Sequence, residues 1–273
     1  MPVARIAGFA YHDVTDAPGD SGLQRPAATA YKLSPAAFGR HLDAIASASL
    51  RPELVTAIDP AMGGPHLLLT FDDGGKSALY ASDELCRRGW LGHFFIITAR
   101  IGERTFLDAT EIRYLRQCGH VIGSHSHTHP SFFREQTPHQ MMAEWATSCD
   151  RLADLLGEPC TVGSVPGGDI SPVVLASAGA AGLRYLFTSE PRLVPQSVGG
   201  CWVLGRFCPK LTTHPSRVGE LAGFRGWERA LFIRRLKVLV RVMLPGPYRH
   251  YVRRQTRETR ASGRARQPVA EER

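Results

Sequence analysis

Two short stretches of the chain concentrate groups able to hold an ion and move a proton. The first runs His66-Leu67-Leu68-Leu69-Thr70-Phe71-Asp72-Asp73-Gly74-Gly75. An apolar run closed by turn chemistry reads as a buried strand of a parallel sheet. Sites in α/β folds are built at the carboxyl ends of such strands. Two adjacent carboxylates repel unless a cation or a shared proton sits between them. Neighbouring strand residues point to opposite faces. Asp72 and Asp73 therefore face one site only if the strand has already ended, which Gly74-Gly75 favours. The second stretch, Gly119 to Pro130, holds four histidines in ten residues: His120, His125, His127 and His129. On one helical turn His125 and His129 share a face and can hold one ion. An Asp and two His make a three-ligand catalytic site with a position open for water. His127 is expected to point away, and His93 and His120 to be structural.

The elements that must position these groups follow from hydrophobic pattern and capping. Residues 6–11 read as a first strand ending in Tyr11-His12-Asp13; either His12 and Asp13 cap that strand or one of them lines the substrate pocket. The Pro- and Gly-rich residues 15–32 read as a loop able to cover the site. Ser34-Pro35 starts a helix. Residues 77–88, a segment opened by Asp108-Ala109-Thr110-Glu111, and Thr137 to about Leu156 are further helices. Residues 92–98, 121–123, 162–165, 183–188 and 201–207 are further strands. Strand–helix alternation at this spacing predicts βα repetition, and at least six such units favour a closed or nearly closed barrel over a doubly wound sheet.

Thr-Phe-Asp-Asp-Gly followed by His-Ser-His-Thr-His-Pro is similar to the first two motifs of the polysaccharide deacetylases of the NodB-homology type (carbohydrate esterase family 4), over residues 3 to about 210. The resemblance implies a distorted (β/α) barrel of about seven strands, with Asp72 the catalytic base and Asp73, His125 and His129 the metal ligands. It implies a divalent ion, zinc first, with cobalt, nickel or iron also suited to two N and one O donor. The later motifs depart from the family. Where it has Arg-x-Pro-x-Gly, this chain has Ser164-Val165-Pro166-Gly167-Gly168. The Arg that orients the base is absent, so Asp72 must be held by something else. Backbone N–H groups after Pro166, near Gly167, can support an oxyanion. The fourth-motif Asp has Glu190 as its nearest acidic substitute. Gly205-Arg206-Phe207 stands where the His of the general acid is expected, leaving His214 and His12 as candidate proton donors. The implied activity is removal of an N-acetyl group from a sugar in a polysaccharide or glycan precursor. The rivals are a same-scaffold amidohydrolase on a non-sugar amide and a catalytically silent glycan-binding protein.

The net charge of +8 in 273 residues is uneven. Residues 249–273 hold eight Arg against three Glu, and residues 231–244 hold Arg234, Arg235, Lys237 and Arg241 without an acid. The expected organisation is a catalytic domain over 1–215, a basic helical extension over 216–248 and a disordered Arg-rich tail over 249–273. The extension packs on the domain or touches an anionic membrane through residues 231–244. No aromatic platform or recognition fold accompanies the arginines, so no nucleic acid is expected. The N-terminal stretch has no long apolar segment of a secretory signal, no run is long enough to span a bilayer, and the six Cys are scattered. The expected location is the cytoplasm, peripheral to the inner membrane face.

Overall fold

The computed structural model describes residues 3–257. In chain order the elements are β1 (Arg5–Tyr11), α1 (Pro26–Thr29), α2 (Pro35–Ala46), β2 (Pro65–Phe71), α3 (Ala78–Arg87), β3 (His93–Ile96), α4 (Ala109–Gln117), β4 (Val121–Ser124), α5 (Pro138–Leu156), β5 (Val162–Ser164), α6 (Pro172–Ala180), β6 (Tyr185–Phe187), β7 (Gln196–Val198), β8 (Cys201–Leu204), α7 (Pro215–Ala222), α8 (Trp227–Met243) and α9 (Pro245–Thr256). Caps set the helix starts. Ser34 and Ser171 accept backbone N–H groups at the starts of α2 and α6, and Asp108/Glu111 and Thr137/Gln140 form capping boxes on α4 and α5.

The strands form one sheet in the order β1-β2-β3-β4-β5-β6-β8-β7. Seven are parallel, which agrees with the expected barrel, and β7 alone is antiparallel, as the outer arm of a hairpin with β8. That hairpin turns on Gly199 (φ 57°) and Gly200 (φ 80°), a pair with the left-handed backbone of a two-residue turn. The sheet curls into a half-barrel and returns to its own first strand. Phe207 pairs with Phe9, the Ala10 N–H donates to the Phe207 carbonyl at 2.9 Å, and the Phe207 N–H donates to the Gly8 carbonyl at 2.8 Å. The approach is tight: a Cβ on Gly8 would lie 2.7 Å from the Gly205 carbonyl oxygen and 3.0 Å from Arg206 Cγ.

Inside the curl pack Ile6, Leu68, Phe95, Val162, Phe187 and Leu204. The larger core lies between the sheet and its helices, where the rings of Tyr11, Phe71 and Phe94 stack in sequence and Phe38 meets Tyr11 and Phe71 edge-on. Val218, Leu221, Ala222 and Trp227 belong to this same core, so the chain continues the domain past residue 215. Residues 249–256, expected as the start of a disordered tail, are helical in α9. Residues 258–273 of that expected tail lie outside the described residues. All six thiols are free.

His93 and His120 are buried structural groups, as expected. The Val55 N–H donates to His93 Nε2 at 2.8 Å, while His93 Nδ1 donates to the Leu69 carbonyl at 2.8 Å. The ring is thus committed to one neutral tautomer, and burial lowers its pKa to about 4. The unfolded chain takes up this proton near the ordinary value of about 6.5. Stability is therefore lost as pH falls from there towards 4, by about 1.4 kcal/mol per pH unit and about 3 kcal/mol in all. Urea unfolding of wild type and His93→Gln between neutral and acid pH should show that slope in the former and lack it in the latter.

Candidate metal-dependent active site

The Asp pair sits where β2 stops. Asp73 has φ 77° and Gly74 φ 76°, so the chain turns at once and both carboxylates reach one cleft. The left-handed backbone falls on Asp73 itself, not only on the glycine. The histidine stretch differs from its expectation. Residues 125–130 are not helical. Ser126 (φ 62°) and His129 (φ 56°) each reverse the chain instead, so two kinks do what a helical turn was expected to do. Three of the four non-glycine residues with positive φ among the described residues belong to this one site, which is where such strain is ordinarily concentrated.

His125 Nε2 lies 3.4 Å and His129 Nε2 3.7 Å from the same oxygen of Asp73, all three side chains being buried. Their ligand atoms fall within 4.8 Å of one another, and this donor set fits a divalent cation. His125 is oriented for it, because its Nδ1 donates to the Ser164 carbonyl at 2.9 Å and leaves the Nε2 lone pair facing Asp73. His129 differs, since its Nδ1 receives Arg25 Nη2 at 3.0 Å. In a neutral ring that contact and ligation through Nε2 exclude each other, as each needs the lone pair the other denies. Binding of a cation therefore displaces Arg25. His127 points away to Thr98 Oγ1 at 2.9 Å.

Asp72 is held by Arg206, which is fully buried. Arg206 Nη1 and Nη2 donate to the two Asp72 oxygens at 2.7 and 2.9 Å. The remaining donors reach Thr70 Oγ1 (2.7 Å), Ser164 Oγ (2.7 Å) and the Thr188 carbonyl (3.1 Å), so the whole guanidinium fork is satisfied. Phe95 and Phe187 flank it. The arginine missing from residue 164 is thus replaced from the segment after β8, and Ser164 is small enough to leave it room. Burial pushes the Asp72 carboxyl up, but the Arg206 charge, with His125, outweighs that and keeps it below the ordinary carboxylate range. Burial also acts against the charge on Asp73, and the surrounding histidines overcome it. His129 is lowered to about 3 by burial and by Arg25, whereas for His125 the Asp72 and Asp73 charges overcome burial and raise its proton affinity. A cation at Nε2 takes the place of that proton.

The other expected site residues divide. His12 follows β1, borders the cleft and stacks on Tyr31 at 4.8 Å; its Nδ1 is buried without a hydrogen-bond partner among the described residues. His214 is not brought in. It is exposed and caps α7, with Nδ1 facing Ser216 Oγ at 2.8 Å. Asp13 does not line the pocket either. It is buried as a clasp, accepting from Ser21 Oγ at 2.5 Å and Ser77 Oγ at 2.9 Å, with Lys32 Nζ at 3.8 Å. Gly167 borders the cleft and Pro166 is buried beneath it. Glu190 makes no contact with a catalytic histidine and instead pairs with Arg234 of α8 at 2.6 Å. The cleft, about 760 Å³, is bounded also by Leu23, Arg25 and Tyr31 of the 15–32 segment and by residues of α8 and α9.

A family model described as polysaccharide deacetylase matches residues 59–186. No curated protein matches the chain. Among solved structures, IcaB of Ammonifex degensii is 20% identical with a TM-score of 0.66, over 81% of this chain and 98% of its own. The Streptococcus pyogenes deacetylase PplD, in complex with acetate, is 19% identical with a TM-score of 0.64, over 81% and 99%. A polysaccharide deacetylase from Bacillus cereus is 18% identical with a TM-score of 0.66, over 81% and 69%.

Two measurements test the electrostatics of the site. Arg206→Gln leaves the Asp72 charge buried and uncompensated, so a loss of about 3–5 kcal/mol in stability is expected. Asp72 then takes up a proton more readily, and the acidic limb of a kcat/KM–pH profile moves to higher pH. Arg25→Met frees His129 Nδ1 to carry the proton that ligation requires. Competition against a chromophoric zinc indicator should show affinity rising about tenfold or more, the worth of one charged hydrogen bond.

Proposed function

We propose that this chain, a member of the polysaccharide deacetylase family over residues 59–186, is a metal-dependent hydrolase that removes the N-acetyl group from a sugar of a polysaccharide or glycan precursor. The observation that carries the reading is the placing of an anchored, ionised carboxylate beside a buried Asp-His-His triad in one cleft. Asp73, His125 and His129 would hold the ion. Zinc suits these donors best, and cobalt, nickel or iron accept the same set. Such an ion, when bound, lowers the pKa of water and polarises an acyl carbonyl.

The rest is work for the chain itself. Asp72 accepts the proton of the attacking water, and Arg206 and Ser164 keep its carboxylate aimed and charged. Backbone at Gly167, on the cleft wall, is the source of N–H donors for the oxygen that gathers charge. His12 follows β1, the strand that Phe207 of the Arg206 segment meets at Phe9. It is the histidine of the cleft outside the ligand set and gives its proton to the leaving amine. Acetate and a free amino sugar result.

Acetate release from N-acetylglucosamine oligomers, peptidoglycan fragments and lipid-linked N-acetyl sugars tests this directly. Activity is expected in zinc-, cobalt- or nickel-loaded protein and not after chelation, and Asp72→Asn abolishes it. His12→Gln lowers kcat about 10²–10⁴-fold. Tight metal binding with no release from any substrate would overturn the reading and favour a glycan-binding protein.

A further inference from the structure

We propose that α8 and α9 form a platform by which this protein lies on an anionic bilayer, with the catalytic cleft beside it. One face of α8 belongs to the domain. Trp227 and Ala230 are buried, Ile233 and Arg234 border the cleft, and Arg234 reaches Glu190 at 2.6 Å and the Gly168 carbonyl at 2.9 Å. The opposite face has no partner among the described residues. Phe232 (69% exposed), Leu236 (53%), Leu239 (53%) and Met243 (70%) are turned to solvent. At 3.6 residues per turn these four fall within about 60° of one another around the helix. Leu244 and, on α9, Tyr251 are also exposed. A contiguous apolar stripe of this kind marks an interaction surface.

The charge around the stripe selects its occupant. Residues 227–257 hold nine Lys and Arg against one acid, Glu228. Arg229 and Arg235 are exposed and fall on the two sides of the stripe. Joining two copies through this face would bring both sets of cations together, whereas an anionic lipid surface neutralises them. A helix with an apolar stripe and basic flanks lies in the interfacial plane. Among the described residues no helix is long and apolar enough to cross a membrane, so α8 rests on the surface. Because the same helix walls the cleft, the acceptor of catalysis is an N-acetyl sugar carried on a lipid at that surface; this last clause alone rests on the deacetylase reading.

The test is flotation of the full chain with phosphatidylcholine vesicles, with and without phosphatidylglycerol. The protein should float only with the anionic vesicles, and less at high salt. The pair Phe232→Ser with Leu236→Ser, and separately Arg235→Glu with Arg253→Glu, should each reduce the floated fraction about tenfold or more. Both double variants should keep wild-type acetate release from soluble oligomers, so a failure to float and a failure of the deacetylase reading are seen separately. The proposal is overturned if the wild type stays unbound. It is overturned equally if the variants float as well as it does, or if light scattering shows a dimer that the Phe232/Leu236 pair dissociates.

Discussion

A charge buried in a protein interior must find its opposite, and in this fold that requirement is met by Asp72 and Arg206. The guanidinium is fully buried and every one of its donors is used. Removing either partner would strand the other in a medium that solvates it poorly, whereas the pair itself contributes more to geometry than to stability. The consequences reach outward. Residue 164 must be small, Gly8 must lack a side chain, and the chain after β8 must return against β1. One contact therefore ties the return of the chain after β8 to the charge on Asp72.

The ligand triad obeys a different constraint. Asp73, Ser126 and His129 hold left-handed backbone without being glycine, at a cost of order 1–3 kcal/mol each. The surrounding hydrogen bonds fix them there: the Ile97 N–H reaches the Asp73 carbonyl, the Ser126 N–H the Ser124 hydroxyl and the His129 N–H the Ser126 hydroxyl. Arg25, at the start of α1, holds His129 in the tautomer that refuses a cation.

Much of this was legible because it is written in local pattern. The apolar run ending in Asp72-Asp73, the capping Ser34, Asp108 and Thr137, and the closing glycines each signal an element through its own chemistry. Reasoning from spacing went astray where the backbone does something unusual. A separation of four residues suggested a helical face for His125 and His129, and two left-handed residues achieve the same approach. Asp13 and His214 are polar residues in suggestive places, but burial among hydroxyls and a capping position decide their roles. β7 is three mostly polar residues, too short to read alone, though Gly199-Gly200 beside it carries a hairpin signature. Arg206 as the partner of Asp72 is not legible from the stretch around Pro166, where the resembled family carries its arginine. Its signal was an arginine directly after Val203-Leu204-Gly205, at the carboxyl end of a buried strand, as Asp72 is at the end of β2.

The position of Arg206 in the chain bears on how the site comes into being. Asp73, His125 and His129 have all been synthesised 77 residues before Arg206 appears. A nascent chain emerging from the ribosome therefore carries Asp73, His125 and His129 while Asp72 still lacks its counter-charge and β1 its final neighbour. Non-local pairing of this kind is the slow part of folding. In the reading proposed above, the residues that would hold the ion are thus complete in the chain before the one that keeps Asp72 charged.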